Sequence, residues 1–264
     1  MYLKIDGLNL HLEDRGNSDG LPLVFLHSWA GSARSWKYVV DALPSRLRTI
    51  TVDHRGWGRS ESHLSGFDLA GLASDAKEVV KALKLDRYVL IGHSMGGKVA
   101  QLIASERPEK LSGLILVAPA MPGPLRFPPE RREDMVHTMD SAVLIQQTID
   151  NMLTAKRLSP EVNAQVIEDA LRGSPEAKRA WPISTSQEDI RERVGLIQVP
   201  TLVIAGELDK VDPVSELQSE LLSRIPRAEM KIIPATGHLS PLESPIEVAE
   251  LITRFLEQML GHDL

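Results

Sequence analysis

Residues 88–97 of the chain read YVLIGHSMGG, and this stretch decides the fold. The apolar run 88–91 predicts a buried strand, and the helical pattern that follows the stretch predicts a helix directly after it. Between them lies the pattern Gly-x-Ser-x-Gly, with Ser94 at its centre. A turn this tight brings the backbone of Gly92 close to that of Gly96, where any larger side chain would collide. The pattern therefore predicts a strained strand-to-helix turn that exposes the Ser94 hydroxyl, which is the candidate nucleophile.

Composition places the chain among ordinary globular proteins. It has 264 residues, 25% of them charged, and a formal net charge of −6; without a basic stripe, a nucleic-acid partner is not expected. No stretch approaches the roughly 18 apolar residues of a membrane span, and the N-terminus lacks a signal-peptide pattern, so we expect no membrane partner and a cytoplasmic location. The chain has no cysteine, which excludes disulfides and a cysteine nucleophile. Nothing in the sequence indicates an oligomeric state.

Apolar runs alternate with helical patterns along most of the chain. This alternation predicts an α/β fold with a mostly parallel central sheet flanked by helices. The predicted strands are 8–12, 23–26, 49–52, 88–91, 114–117, 201–205 and 230–233. The predicted helices between them are 36–43, 69–83, 98–106, 214–222 and 246–260.

The alternation stops between Pro119 and Pro200, where helical patterns follow one another without a strand. We interpret residues 119–199 as an all-helical cap inserted into a core domain formed by residues 1–118 and 200–264. A cap at this position covers the C-terminal edge of the sheet, where open α/β sheets bind ligands. The alternative is a helical segment that only stabilises the fold.

A serine hydroxyl needs a base to become a strong nucleophile, and His238 is the candidate. It lies on a short loop between the last predicted strand and a helix whose start is well marked. Ser244 has the position of an N-cap, Pro245 the first helical position, and Glu247 the third residue of a capping box. His238 is thus predicted to be held between two rigid elements.

The other histidines fit the role of base less well. His93 is next to Ser94, but its side chain should point away across the turn, which favours packing. His27 could shape the floor of the site through a hydrogen bond, and for both His27 and His54 the spaced ligands of a metal site are missing. We therefore expect no metal and no cofactor. The remaining four are interpreted as solvated or structural: His11, His63, His137 and His262.

The acid that orients the base should follow the sixth predicted strand, where the loop offers three carboxylates. Asp212 precedes a proline and is interpreted as the N-cap of the next helix. Glu207 is interpreted as solvated or as a neighbour of the site. Asp209 is left as the partner for Nδ1 of His238, and the chain order Ser94, Asp209, His238 is that of a catalytic triad on an α/β sheet.

On these motifs the chain resembles the α/β-hydrolase superfamily over essentially its whole length, and it is particularly similar to the small bacterial esterases, lactonases and perhydrolases. The matching motifs are Gly92 to Gly96, Gly206-x-x-Asp209-x-x-x-Pro213, Gly237-His238 and Asp53-x-Arg55-Gly56-x-Gly58-x-Ser60. We interpret the last of these as structural. The resemblance implies a serine hydrolase with an acyl-enzyme intermediate. A serine at position 94 separates the chain from the dehalogenase and epoxide-hydrolase branches, which use an aspartate.

The oxyanion side departs from the pattern of the resembling enzymes. In those enzymes the strand that corresponds to the predicted strand 23–26 usually ends in His-Gly. The residue after that glycine donates its N–H to the oxyanion. Here the sequence is His27, Ser28, Trp29, so by position the donors are the N–H groups of Trp29 and Met95. A positive φ at Ser28 would add about 1–2 kcal/mol of strain. Alternatively, Ser28 takes ordinary angles and shifts the oxyanion hole or adds a hydroxyl to it.

The residues predicted to line the substrate pocket are mostly apolar and rich in methionine. Besides His27 and Ser28, they are Met121, Leu125, Met135, Met139 and Trp181. They predict a small to medium, mainly apolar carboxylic ester as the small-molecule partner. Lactonase, perhydrolase and C–C bond hydrolase activities use the same triad and remain open. A hydrolase-like receptor that binds a ligand without turnover is the alternative from a different class.

Overall fold

The computed structural model describes residues 1–261, and one eight-stranded sheet lies at its centre. The strands are β1 (Tyr2–Ile5), β2 (Leu8–Gly16), β3 (Pro22–Leu26), β4 (Arg48–Val52), β5 (Tyr88–His93), β6 (Leu111–Val117), β7 (Thr201–Gly206) and β8 (Ala228–Ile233). Their order across the sheet is β1-β2-β4-β3-β5-β6-β7-β8. β2 runs antiparallel to both of its neighbours, and every pair from β4 to β8 is parallel. The predicted, mostly parallel sheet is confirmed.

Some α-helices of the described residues flank this sheet, and others belong to the segment between β6 and β7. They are α1 (Lys37–Ala42), α2 (Leu69–Ala82), α3 (Met95–Ser105), α4 (Pro129–Thr138), α5 (Ala142–Thr148), α6 (Pro160–Arg172), α7 (Pro175–Ile183), α8 (Arg191–Val194), α9 (Val214–Glu216), α10 (Ser240–Glu243) and α11 (Pro245–Leu260). Short π-helical turns follow α5 and α9. Helices α2 and α3 pack on one face of the sheet, whereas α1 and α11 pack on the other.

Strand β5 shows why the central strands are continuous apolar runs. Tyr88 and Leu90 pack into the core under α2 and α3, whereas Val89 and Ile91 point to the opposite face and pack under α1 and α11. Because successive side chains of a strand point to opposite faces, a strand that is covered on both sides must be apolar at every position. All six residues of β5 are buried.

The structure adds elements that the apolar pattern did not predict. β1 is an edge strand whose Tyr2 is 57% exposed, so it lacks the apolar run on which the predictions depended. It forms a hairpin with β2 through Asp6 and Gly7, both of which have positive φ. Helix α3 begins at Met95, three residues before the predicted start, because it follows the tight turn at Ser94 directly.

Residues 119–199 form a helical insertion between β6 and β7 that contains α4 to α8 and no strand. Its own small apolar cluster includes Met139, Ile145 and Ile149, and this cluster contacts Trp29 in the loop after β3. The buried carboxylate of Asp169 also accepts a hydrogen bond of 2.8 Å from Ser32. The all-helical character agrees with the prediction, while the division into a cap and a core domain stays a prediction.

Two further observations concern the ends and the surface of the chain. Within residues 1–261, no helix combines the length and the apolar character that crossing a membrane requires. His262, one of the histidines interpreted as solvated or structural, lies outside the described residues.

The close approach at Gly92 generates a prediction about stability. A Cβ at this position would collide with the carbonyl of Gly96, whereas a Cβ at Gly113 in β6 would approach closely only the flexible side chain of Met259 and would make an ordinary contact with Val89. We expect Gly92→Ala to lower the free energy of unfolding by about 3 kcal/mol, because a backbone collision in a packed core cannot relax. Gly113→Ala should change it by less than about 1 kcal/mol. Urea unfolding of both variants measures the difference, and equal stabilities would contradict the argument.

Candidate active site

The turn at Ser94 joins β5 to α3 with a backbone that L-residues rarely adopt. Ser94 has φ 52° and ψ −115°. A side chain at Gly96 would collide with the carbonyls of Leu26 and His27, so the start of α3 lies directly against the end of β3. This geometry confirms the predicted strand-to-helix turn, and it places the Ser94 hydroxyl at the C-terminal end of β5.

Three side chains form a hydrogen-bonded chain at this edge of the sheet. Nε2 of His238 lies 2.9 Å from Oγ of Ser94, and Nδ1 of His238 lies 2.9 Å from Oδ2 of Asp209. A carboxylate only accepts, so Nδ1 carries the proton, and in the neutral ring Nε2 is the nitrogen that accepts from the serine hydroxyl. The structure thus brings together the three residues that the sequence predicts as nucleophile, base and acid.

The electrostatics of this chain favour a positively charged imidazole. Burial opposes the charge, but Asp209, with smaller contributions from Asp212 and Glu243, outweighs it and raises the pKa of His238 to about 9. Burial also disfavours the ionised form of Asp209, yet His238 and the backbone N–H groups of Asp212 and Val211 lower the pKa of Asp209 overall. Asp209 is therefore a stable anion that can compensate a proton arriving at Nε2.

The loop after β3 and the start of α3 carry the two predicted oxyanion donors. Ser28 is absent from the residues with positive φ, so it takes ordinary backbone angles; Ala30, with φ 63°, takes the left-handed conformation instead. Within residues 1–261, the N–H groups of Trp29 and Met95 donate to no protein acceptor. One free amide in the loop and one at the start of α3 therefore lie on the Ser94 side of the sheet edge, as an oxyanion hole requires.

His27 stabilises this loop from below. Its Nδ1 donates to the carbonyl of Ser28 at 2.7 Å, and its Nε2 accepts from the N–H of His54 at 3.0 Å. Burial lowers the pKa of His27, so the ring is neutral. In the part of the chain that the structure describes, no group of three or more histidine, aspartate or glutamate side chains is arranged to hold a metal ion.

A cavity of about 790 Å³ opens beside Ser94 and His238, between the sheet edge and the helical insertion. Five of the predicted lining residues are on its wall: Ser28, Leu125, Met135, Met139 and Trp181. Met121 instead lines a smaller adjoining cavity of about 140 Å³, and His27 lines neither. The wall also includes apolar residues that the sequence did not single out, namely Ala30, Leu144, Met152, Leu153 and Leu239. Glu130, Arg131 and Asp134 add exposed charges to it.

Comparison with known proteins identifies the family. The family model of the alpha/beta hydrolase fold matches residues 22–245. The chain belongs to this family. A pimeloyl-[acyl-carrier protein] methyl ester esterase of Nitrosomonas europaea is 30% identical over 250 residues, which cover 90% of this chain and 95% of the relative.

Solved structures resemble this α/β hydrolase over nearly its whole length. An esterase of Exiguobacterium antarcticum superposes with a TM-score of 0.89 at 25% identity and covers 97% of this chain and 98% of its own. Est816, described as an enzyme that degrades N-acyl homoserine lactones, superposes with a TM-score of 0.84 at 29% identity and covers 97% and 100%.

In this α/β hydrolase, the loop of residues 234–239 carries His238 and is called the histidine loop. His93 supports this loop in a way that the sequence did not reveal. Its Nε2 donates to the carbonyl of His238 at 2.9 Å. Burial and the neighbouring His238 lower the pKa of His93 to about 3, so the ring stays neutral. The interpretation as a packing residue is too narrow, because the ring also fixes the backbone of His238.

Glu243 ties the same loop to the helical insertion. Its carboxylate accepts from the N–H of Gly237 at 3.1 Å, from that of Ala155 at 2.7 Å and from that of Lys156 at 2.9 Å. The N–H of Leu239 donates to the carbonyl of Leu153, which also lies in the helical insertion, at 3.0 Å. Glu243 therefore couples the position of His238 to the wall of the cavity.

The two N-cap predictions have different outcomes. Ser244 is the N-cap residue of α11 and Pro245 is its first residue, as predicted, but the capping hydrogen bond is absent, and the N-cap role of Asp212 is wrong. The Oγ of Ser244 contacts Thr236 at 2.8 Å and Lys156 at 2.7 Å instead. Asp212 does not cap α9 either, because the N-cap residue is Pro213 and no side chain caps the helix. Both polar side chains are drawn into tertiary contacts that sequence spacing does not show.

The carboxylate of Glu243 generates a prediction about stability. We expect Glu243→Ala to lower the free energy of unfolding by about 2 kcal/mol, because three backbone N–H groups lose their acceptor. Glu250→Ala is the matched control, since Glu250 is exposed and pairs only with Arg254 one turn along α11. Its effect should stay within about 0.5 kcal/mol. Urea denaturation separates the two, and a Glu243→Ala protein as stable as the control would contradict the coupling.

Proposed function

We propose that this α/β hydrolase is a serine hydrolase that cleaves carboxylic esters of small to medium, mainly apolar molecules. The observation that carries the proposal is the hydrogen-bonded chain from Asp209 through His238 to Ser94 at the wall of the cavity. A serine, a base within hydrogen-bond reach and a carboxylate that orients the base are the parts that acyl transfer needs. The esterase relatives support the same chemistry.

The first half of the reaction forms an acyl-enzyme. Nε2 of His238 takes the hydroxyl proton while Oγ of Ser94 attacks the ester carbonyl carbon, and the carbonyl oxygen becomes an oxyanion. The free N–H groups of Trp29 and Met95 are proposed to bind that oxyanion. The imidazolium next gives its proton to the leaving alcohol as the ester bond breaks, and Asp209 compensates the transient positive charge.

The second half releases the acid. Water enters in place of the alcohol, gives a proton to Nε2 of His238 and attacks the acyl carbon. The tetrahedral intermediate collapses, Oγ of Ser94 leaves with the proton from His238, and the enzyme returns to its starting state. Each half moves one proton through the same nitrogen, so the cycle requires no other titrating group.

The cavity wall supports an apolar substrate of moderate size. Its buried apolar part includes Met139 and Trp181, Leu125 is half-buried, and the charged residues that α4 contributes to the wall are exposed. Apolar and methionine side chains accept hydrophobic groups of varied shape. The helical insertion supplies much of this wall, which supports its proposed role as a cap that selects the substrate.

Lactone hydrolysis is the second candidate. A lactone is a cyclic ester, so the same attack on its carbonyl opens the ring and leaves the alcohol attached to the acyl group. The similarity to Est816 along nearly the whole of both chains favours this reaction. A panel of p-nitrophenyl esters and N-acyl homoserine lactones with short and long acyl chains separates the two candidates by their kcat/KM values.

Replacement of the nucleophile tests the proposal. We expect Ser94→Ala to lower kcat for a p-nitrophenyl ester by about 10⁴–10⁶-fold, because the members of a triad act as a unit. Ser105→Ala is the matched control. Ser105 is the last residue of α3, the helix that follows Ser94; it is buried, and its hydroxyl donates to the carbonyl of Leu102, away from the cavity. It should keep the parent rate. Stopped-flow traces of the parent should show a burst of p-nitrophenol and then steady turnover.

Two results would contradict the proposal. Ester hydrolysis by folded Ser94→Ala at the parent rate would exclude Ser94 as the nucleophile. Binding of the esters and lactones without turnover by the parent would favour a receptor.

A further inference from the structure

Asp212 is a buried carboxyl group that the mechanism above does not use. It is 4% exposed and lies on the wall of the cavity. Its Oδ2 lies 3.8 Å from Nδ1 of His238, and no other basic side chain in residues 1–261 forms an ion pair with it. Because a buried carboxylate requires a compensating charge, His238 is the group that stabilises its ionised form.

The loop after β7 places this second carboxyl beside the first. Oδ1 of Asp209 accepts from the N–H of Val211 at 2.8 Å and from that of Asp212 at 3.0 Å, which folds the loop back on itself. Pro213 restricts the backbone of the residue before it, and because α9 begins at Val214 with Pro213 as its N-cap residue, Asp212 lies one position before the cap. The side chain of Asp212 therefore turns toward the imidazole rather than toward α9.

The two carboxyls differ in how they are bonded. Asp209 accepts three hydrogen bonds, one of them from His238, so it stays ionised. Burial raises the pKa of Asp212 to about 8; His238 and a backbone hydrogen bond from Met121 oppose this increase, whereas Asp209 and Glu216 add to it. Asp212 can thus exchange its proton near neutral pH, while Asp209 cannot.

The other charges around the pair do not neutralise Asp212. The charge of Lys98 interacts with that of Asp212, but the ammonium group of Lys98 donates its hydrogen bonds to the carbonyls of Gly123 and Ser186. Around His238, the remaining titratable groups are Glu243, which favours the imidazolium, and His93, which is neutral. Asp212 is therefore the second carboxyl that acts on the imidazole at close range.

We propose that Asp212 is a second acid for His238, a positioning residue that shares the Nδ1 side of the imidazole with Asp209 and replaces its contact when Asp209 is lost. The proposal rests on the proposed function, in which His238 is the base. A movement of about 1 Å would bring the two atoms to hydrogen-bond distance. In its ionised form, Asp212 stabilises the imidazolium that forms when Ser94 gives up its proton.

The sign of the pH effect follows from the charge. The base works only when Nε2 is unprotonated, so kcat/KM rises with pH until His238 has lost its proton. An ionised Asp212 stabilises the protonated ring, so the increase in kcat/KM occurs at a higher pH than it would without this charge. Asp212→Asn removes the charge at nearly constant shape, and the acidic limb of kcat/KM should move down by about one pH unit.

Two sets of variants test the proposal. The first compares the acidic limb of the parent with that of Asp212→Asn, and Glu207→Gln is the control, since Glu207 is an exposed carboxyl on the same loop that accepts from Ala235. The control should leave the limb in place. The second set measures Asp212→Asn in the parent and in Asp209→Asn. We expect the loss in kcat to be about tenfold greater in the Asp209→Asn background, because only there does His238 depend on Asp212 alone.

A measurement without turnover separates this proposal from the proposed function. In Ser94→Ala protein, NMR titration of the His238 ring should give a pKa about one unit lower when Asp212→Asn is added. Should Asp212→Asn fail to fold, Asp212→Ser removes the same charge with less bulk. An unmoved limb, an unmoved His238 pKa or equal losses in both backgrounds would overturn the role of Asp212. Full activity of Ser94→Ala would instead overturn the proposed function.

Discussion

The left-handed backbone of Ser94 is the constraint on which the rest of the structure depends. A φ of 52° at a serine costs of order 1–3 kcal/mol, and it persists only where the surroundings fix it. Here the fixing is steric: Gly92 and Gly96 let the helix start touch the end of β5 and the carbonyls that close β3. The same contact brings the Met95 amide beside the loop that carries Trp29, so a single turn positions both the hydroxyl and the free amides.

The parallel sheet brings the remaining groups to the same edge. β5, β7 and β8 end at this edge, and the loops after β7 and β8 carry Asp209 and His238 to within 2.9 Å of each other. Polar contacts then fix the histidine loop from two sides, through the ring of His93 and the carboxylate of Glu243. Because Glu243 also holds Ala155 of the helical insertion, the wall that meets a substrate is coupled to the base that acts on it.

The sequence predicted those features that depend on local pattern. The buried strands were found because both faces of β5 and its neighbours are apolar, whereas β1 was missed because an exposed edge strand lacks that pattern. The three residues of the proposed triad were chosen by their position after strands, which the topology alone determines. The tertiary partners of His93, Asp212 and Ser244 could not be chosen in this way, because each lies far away in the chain or depends on how a loop folds back. The backbone of Ser28 was likewise undecided until the loop geometry showed the positive φ two residues later, at Ala30.

Covalent labelling tests the central claim most directly, namely that the strained turn and His238 together make Ser94 a nucleophile. A fluorophosphonate reacts with an activated serine hydroxyl by displacement of fluoride and leaves a stable phosphonyl ester. After incubation with this reagent, the account predicts one label per chain, located by peptide mass mapping on Ser94, and a much slower reaction in His238→Ala protein. Labelling of a different residue, or continued ester turnover by a chain whose Ser94 is fully labelled, would contradict it.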